Sequence, residues 1–214
     1  MNQNRKKIQK LTIAAILVAI EVAMAFTPIG YLPLGSLSIT TMHLPVIFAG
    51  VALGPCFGAG MGLLFGLTSF IRATFQPGVT SFVFSPFISV AGIQGNFFSL
   101  IICFVPRILL GLGSAGLFYA LKKLFSNTKK SLCVCITSGI MTVIHTILVL
   151  GGIYLFFADK YAQALSIDVT MVKTVLLAVV STNMLPETIL ACIVVPVLYT
   201  ALSPILKRMD IQFE

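Results

Sequence analysis

A few titratable side chains lie inside otherwise apolar stretches of this sequence, where a charge is costly to bury. They are Glu21, His43, Arg107, His145 and Glu187. Such residues usually face the interior of a helix bundle or a cavity, and they often bind a substrate or an ion. Each of them is therefore a candidate functional residue.

Arg107 is the strongest candidate for binding an anion. A buried guanidinium offers a rigid fork of donors that matches a carboxylate or a phosphate. The alternative is a structural ion pair with Glu21 or Glu187, although an arginine held by one acid still has donors left for a ligand. Arg72, at the end of an apolar segment, is either a membrane-interface residue or a guide for an anion that enters a cavity.

Several neutral polar residues near the ends of apolar segments could bind hydroxyl and amide groups. They are Thr41, His43, Gln94, Asn96 and Asn183. Each alone is equally well explained as a helix cap or as a bridge between helices. His43 could also be a hydrogen-bonded packing residue, and His145 is a weaker candidate for ligand contact.

The sequence does not favour enzymatic chemistry. No G-x-x-x-x-G-K-[ST] phosphate loop occurs, which excludes ATP hydrolysis by that route. Ser138 and His145 could suggest an intramembrane serine protease, but Ser138 lacks the preceding glycine of the rhomboid-type motif and no oxyanion site is evident. The cysteines lack the second pair that a zinc site needs, and no metal or cofactor is predicted.

The elements that must position these residues are membrane-spanning helices. The chain has 214 residues, of which 58% are hydrophobic and 9% charged, and its mean hydropathy is +1.06. Because a span needs about 20 apolar residues, the chain accommodates about six spans in one domain. We predict an all-α membrane bundle with spans at about 11–26, 39–54, 55–72, 96–124, 132–156 and 169–206.

The basic residues predict the orientation of the bundle. Most of them lie in three clusters, at residues 5–10, 122–130 and 207–208. Basic residues beside spans mark the cytoplasmic side, and even numbers of predicted spans separate the clusters, so both termini are predicted to be cytoplasmic. This placement accounts for the net charge of +8 without a nucleic-acid partner. A cleaved signal peptide is the alternative for the first span, but Glu21 would interrupt its apolar core.

The connections on the outer side are predicted to be ordered. Residues 27–38 are dense in proline and glycine, and residues 72–95 are too broken by Pro77 and Pro86 for a span, so these outer loops one and three should cover a cavity. Residues 158–168 are predicted as a further outer loop. Gly54, Gly58, Gly62 and Gly66 form a small-residue stripe that predicts close packing against another helix.

Several stretches resemble the substrate-binding S components of energy-coupling factor (ECF) vitamin transporters. They are an A-x-x-x-A pattern in the first span, "GYLPLGSLSITTMHLPVIFAGVALGP", and "FGLTSF" before a Phe-rich loop. "TSFVFSPF" and "VPRILLG" look most similar to the pantothenate branch, while riboflavin-specific relatives share the architecture and part of the loop pattern. The resemblance covers nearly the whole chain.

The resemblance implies a non-catalytic subunit of an ABC-type importer in the plasma membrane of a prokaryote. In that family the alanine stripe of the first helix docks on a membrane-embedded coupling subunit, which joins two ATPase subunits, and the S component topples to carry its vitamin inward. Ala15, Ala19 and Ala23 carry the motif here, with intramolecular packing as the alternative. Glu21 projects about 160° from this stripe, so we expect it to point into the bundle and meet Arg107.

The resemblance also implies a vitamin cavity near the outer face, closed by loops one and three. Pantothenate has a carboxylate, an amide and two hydroxyls, which call for one cation and several neutral hydrogen-bonding groups. The predicted binding residues are Arg107 or Arg72 for the carboxylate, His43, Gln94, Asn96 and Asn183 for the rest, and Tyr31 with the phenylalanines of residues 75–87 as a seal.

Two alternatives stay open. A riboflavin site would need broad aromatic walls, and the absence of tryptophan argues mildly against it, whereas seventeen phenylalanines keep it possible. A self-contained secondary carrier or channel would need its own coupling-ion path, for which Glu21, Arg107 and Glu187 are the obvious material.

Overall fold

A computed structural model describes residues 3–34, 37–90, 92–125 and 128–209, and these residues form a bundle of six helices. The helices are α1 Gln3–Ala25, α2 His43–Leu53, α3 Pro55–Phe75, α4 Phe97–Leu124, α5 Lys130–Leu165 and α6 Val169–Arg208. A π-helical turn, Val180–Met184, interrupts α6 between its α-helical parts Val169–Val179 and Leu185–Arg208.

Two small antiparallel hairpins and one 3-10 turn lie between the helices. Strands β1 Tyr31–Leu34 and β2 Leu37–Thr40 form the first hairpin, which we call the loop-one hairpin. Strands β3 Ser89–Val90 and β4 Ile93–Gln94 form the second, and the 3-10 turn covers Ser81–Val83.

Five of the described helices are long and apolar enough to cross a membrane, and α2 is the exception. It has 11 residues, which span about 16 Å at 1.5 Å per residue. Every residue of α2 is buried, so this helix is enclosed by the others and not exposed to lipid. The described part of the chain is therefore a multi-pass membrane bundle, in which the predicted second span is too short.

The predicted helix over residues 39–54 is wrong at its start, because the chain forms β2 and then begins α2 only at His43. Leu37 and Ile39 alternate with polar residues, and this period of two suits a strand. Pro45 lies in the first turn of α2, where its missing N–H would have no helical partner in any case.

Other helix boundaries also differ from the predictions. Helix α5 continues to Leu165, so the predicted outer loop at 158–168 is mostly helical, and Ser166 ends the helix with a left-handed φ of 54°. Tyr161 and Ala162 are buried, which explains why packing extends this helix. Helix α1 begins at Gln3 and so includes the basic cluster, whereas α4 coincides closely with its predicted segment.

The small-residue stripe brings α3 and α4 into backbone contact. A Cβ on Gly58 would lie 2.5 Å from the carbonyl oxygen of Gly111, and one on Gly62 would clash with the carbonyl oxygen of Arg107. Gly66 meets the ring of Phe104 in the same way. The crossing therefore requires glycine and fixes where the Arg107 backbone lies relative to α3.

The loop between α3 and α4 packs onto the helices. Phe82 and Val83 of its 3-10 turn are fully buried, and the Phe82 ring lies 6.0 Å from that of Phe157 on α5. Ser99 of α4 donates to the Phe82 carbonyl at 2.7 Å, which ties the loop to the helix that follows it. Together with the loop-one hairpin, this loop covers one end of the bundle.

Candidate ligand-binding cavity

A cavity of about 560 Å³ lies beneath the loop-one hairpin and the loop after α3. Its size falls within the range of small-molecule sites, and its walls combine apolar side chains with a few polar ones. The polar and aromatic lining residues are Tyr31, Ser38, Thr40, Phe65, Ser69, Arg72, Gln76, Thr80, Ser81, Phe84, Arg107, His145, Thr146, Asn183 and Glu187.

Arg107 reaches the cavity from α4, and the preceding proline explains part of its conformation. Pro106 has no N–H, so the carbonyl of Ile102, four residues earlier, lacks its usual helical donor. The Nη1 group of Arg107 donates to that carbonyl. One donor of the guanidinium therefore satisfies the backbone, and this fixes the side chain within the cavity wall.

The rest of the guanidinium has no acidic partner at hydrogen-bonding distance among the described residues. Its Cζ atom lies 5.3 Å from the ring centre of Phe65 and 5.1 Å from that of Phe84, and its Nε has no hydrogen-bond partner within the described ranges. Arg107 is buried, with 6% of its surface exposed. A buried cation with unused donors on a cavity wall is suited to an anionic ligand.

Glu21 does not meet Arg107, contrary to the expectation from the sequence. Its side chain is fully buried and points into the bundle, as expected, but both carboxylate oxygens lack a hydrogen-bond partner in the part of the chain that the structure describes. Arg107 instead donates to the carbonyl of Ile102, which lies five residues earlier on the same helix. Glu21 is also absent from the cavity lining.

Tyr31 and Arg72 form the side of the cavity next to α3. The Arg72 guanidinium carbon lies 4.7 Å from the Tyr31 ring centre, and the Tyr31 hydroxyl hydrogen-bonds Ser69 at 2.9 Å and Thr68 at 3.3 Å. Burial raises the pKa of Tyr31, while the hydrogen bonds to Ser69 and Thr68 oppose that shift. The hydroxyl therefore stays neutral and holds the loop-one hairpin to α3.

Three lining residues on α5 and α6 were undervalued or missed in the sequence. His145 and Thr146 come from α5, and the His145 ring lies 5.9 Å from that of Phe65. Glu187 comes from α6, where it follows the predicted binder Asn183 by one helical turn. A search for polar residues sharing one helix face would have joined His145 to Thr142 and Thr146, and Glu187 to Asn183.

Three predicted binding residues are not among the residues that line the cavity. Asn96 caps α4, where its Oδ1 accepts from the Phe98 N–H at 2.9 Å. Gln94 lies in β4, and its carbonyl accepts from Lys160 Nζ at 2.7 Å. His43 is fully buried at the start of α2. Of the phenylalanines in residues 75–87, only Phe84 lines the cavity, and Phe75 and Phe87 are exposed.

The alanine stripe of α1 lies on the opposite side of that helix from Glu21. Ala15, Ala19 and Ala23 are exposed, whereas Leu17 and Glu21 are buried. The three small residues therefore form part of the outer surface of the bundle and do not pack against the other described helices. This surface is separate from the cavity.

Comparison with known proteins agrees with this architecture. The family model described as "ECF transporter, substrate-specific component" matches residues 9–199. The chain is also 39% identical over 170 residues to the pantothenic acid transporter PanT of Lactococcus lactis subsp. cremoris strain MG1363. The aligned region covers 79% of this chain and 78% of that protein. A multi-pass helical bundle with a cavity at one end thus accompanies a family match over most of the chain, and the protein belongs to the substrate-specific components of ECF transporters.

Proposed function

We propose that this protein binds pantothenate in the cavity beneath the loop-one hairpin, as the substrate-specific component of a vitamin importer. The observation that carries the proposal is the buried guanidinium of Arg107, which lies on the cavity wall with donors that no described residue uses. The name of the Lactococcus lactis relative points to the same vitamin.

The chemistry of pantothenate matches the cavity in charge and in polarity. Arg107 binds the carboxylate, and Arg72 contributes long-range attraction from the rim, where its guanidinium rests on Tyr31. Asn183, Ser69 and Thr146 add polar groups to the cavity wall that match the amide and hydroxyl groups of the vitamin. The volume of about 560 Å³ accommodates a short chain of this size.

Vitamin delivery requires partners, which dock on the outer face of α1 in this proposal. Ala15, Ala19 and Ala23 present a smooth exposed surface that allows another helix to approach closely. The partner is a membrane-embedded coupling subunit joined to two ATPase subunits, in the plasma membrane of a prokaryote. The protein topples when docked, so that its cavity opens to the cytoplasm, and the termini stay on the cytoplasmic side.

Calorimetric titration of the purified protein in detergent tests the substrate, with pantothenate and riboflavin as the two ligands. We expect a saturable isotherm with pantothenate and no competition by riboflavin, because the cavity offers a cation and few broad aromatic walls. If the protein bound riboflavin and not pantothenate, riboflavin would replace pantothenate as the proposed substrate. Vesicle uptake by this chain alone, without coupling and ATPase subunits, would favour a self-contained carrier.

A further inference from the structure

One carboxylate ties the loop-one hairpin to α6 across the cavity. The backbone N–H of Thr40 donates to Oε1 of Glu187 at 2.6 Å, although the two residues are 147 positions apart. Glu187 is buried, with 5% of its surface exposed, and both residues line the cavity. The separation of the donor and acceptor atoms is slightly shorter than is usual for an N–H···O hydrogen bond, so the contact is close and direct.

The same rung of the hairpin is anchored on the opposite side as well. Thr40 pairs with Tyr31 in the β1–β2 ladder, and the Tyr31 hydroxyl hydrogen-bonds Ser69 of α3 at 2.9 Å. The hairpin is thus held to α3 through Tyr31 and to α6 through Glu187, with the cavity between these two attachments.

The root of the hairpin is ordered internally, so the Glu187 contact acts on a preformed unit. The Thr40 hydroxyl donates to the Gly30 carbonyl at 3.1 Å and accepts from the Met42 N–H at 3.1 Å. The Thr41 hydroxyl donates to the Ile29 carbonyl at 2.7 Å. Loss of the contact to α6 would therefore free the hairpin on the α6 side of the cavity and would leave the hydrogen bonds at its root intact.

The position of Glu187 on α6 follows from the irregular helix before it. The π-helical turn Val180–Met184 ends directly before Leu185, and Glu187 stands in the first turn of the α-helical part that follows. Such turns insert an extra residue and redirect the side chains beyond them, and they occur often at functional sites. Asn183 within the turn lines the same cavity.

We propose that Glu187 is a positioning residue for vitamin retention, which acts by holding the loop-one hairpin closed over the cavity through the Thr40 N–H. This inference rests on the proposed function only for the identity of the ligand. Neither the family match nor the sequence of the chain assigned such a role to Glu187. Its carboxylate needs no contact with the vitamin, because closure of the hairpin slows ligand escape.

The experiment compares Glu187→Ala with Glu187→Gln by hydrogen–deuterium exchange of the purified protein without ligand. The amide oxygen of glutamine still accepts from the Thr40 N–H, whereas alanine removes the acceptor. We expect exchange in β1 and β2 to be about tenfold faster in Glu187→Ala and close to wild type in Glu187→Gln. Leu185→Ala, a change at an exposed position in the same turn, is the control and should leave this exchange unchanged.

Dissociation of radiolabelled pantothenate gives the functional measurement on the same variants. Glu187→Ala should release the vitamin about 10- to 100-fold faster, and Glu187→Gln about as slowly as wild type. Unchanged exchange in Glu187→Ala would overturn the inference, as would equal loss of protection in both variants. If wild type binds no pantothenate, the proposed substrate fails, but the exchange measurement still decides the role of Glu187.

Discussion

Arg107 meets two needs of this protein with one side chain. It supplies a donor to the Ile102 carbonyl that Pro106 leaves without one, and it presents its other donors to the cavity. The first contact fixes the geometry of the second, because a guanidinium held at one nitrogen has few orientations left. Lysine could provide the charge but could not make both contacts in this arrangement.

We therefore expect Arg107→Ala to weaken pantothenate binding by about 100-fold, since it removes charge-assisted hydrogen bonds worth about 1.5–3 kcal/mol. Arg107→Lys should lose less affinity than Arg107→Ala. Arg72→Ala should change the dissociation constant by less than about threefold, because Arg72 lies at the rim and is partly exposed. Calorimetric titration measures all three. A larger loss in Arg72→Ala than in Arg107→Ala would assign the carboxylate to Arg72.

Glu21 illustrates a buried acid without a compensating contact. Its two carboxylate oxygens have no hydrogen-bond partner among the described residues, so its burial costs free energy. Glu21→Met, an apolar side chain of similar length, should increase the free energy of unfolding by about 1–3 kcal/mol, because it removes the desolvation penalty.

Thermal unfolding in detergent measures this change, and Glu21→Gln is the matched control that keeps the shape and the polarity. A higher Tm for Glu21→Met than for Glu21→Gln is expected, with pantothenate affinity unchanged in both, because Glu21 lies outside the cavity lining. A lower Tm for Glu21→Met would mean that the carboxyl group has a stabilising partner.

At the scale of single residues, the sequence predicted which polar side chains face the interior of the bundle better than it predicted which of them contact each other. Arg107, Arg72, Tyr31 and Asn183, which were predicted as binding residues, line the cavity, and their contact with a ligand stays a prediction. Ionisable and polar groups in apolar helices are rarely placed on lipid. The pairing of Glu21 with Arg107 failed, since helical periodicity gives the direction of a side chain about its own axis but not the rotation of the neighbouring helix.

Among the elements, the crossing of α3 and α4 imposes the strictest steric requirement. The carbonyl oxygen of Gly58 occupies the space that a Cβ on Gly111 would need, and that of Arg107 does the same at Gly62. Separation of the two helices would move the backbone of Arg107 away from Phe65. The glycine stripe was recognisable in the sequence because its spacing of four residues is itself the signal for close approach.

Gly111→Ala should therefore destabilise the protein by about 1–3 kcal/mol and weaken pantothenate binding, because α4 must shift away from α3 to accommodate the methyl group. Gly116→Ala is a matched control on the same helix, where nothing lies within 4 Å of the added Cβ. It should be neutral or stabilising, since alanine favours a helix over glycine by about 1 kcal/mol. Equal Tm values for the two variants would contradict the packing argument.

The loop-one hairpin and the extended α5 are the elements that the sequence predicted least well. Residues 37–40 are apolar enough to continue a helix. Their alternation of apolar and polar residues leads to a strand only because β1, which begins just after Gly30, pairs with them. Helix α5 extends past its apolar segment because Tyr161 and Ala162 are buried in a hydrophobic cluster that includes Phe82, Ile93 and Val172. In both cases long-range contacts, which local patterns do not contain, decide the boundary.

For the whole molecule, the cavity and the alanine stripe lie in different places and should be separable by mutation. The cavity lies beneath the loop-one hairpin, whereas Ala15, Ala19 and Ala23 lie on the exposed face of α1. No lining residue of the cavity comes from α1 within the described chain. A change in the stripe should therefore affect assembly with partners and leave vitamin binding intact.

Ala19→Leu tests this separation directly. The larger side chain should prevent close approach of the proposed coupling subunit, so ATP-dependent pantothenate uptake in vesicles with coupling and ATPase subunits should fall at least about tenfold. Calorimetric affinity of the isolated protein should match wild type. Ala120→Leu, at an exposed alanine of α4, adds the same atoms elsewhere on the surface and should leave uptake intact. Normal uptake by Ala19→Leu would place the docking surface away from the stripe. A loss of binding affinity in this variant would mean that the packing of α1 affects the structure of the cavity.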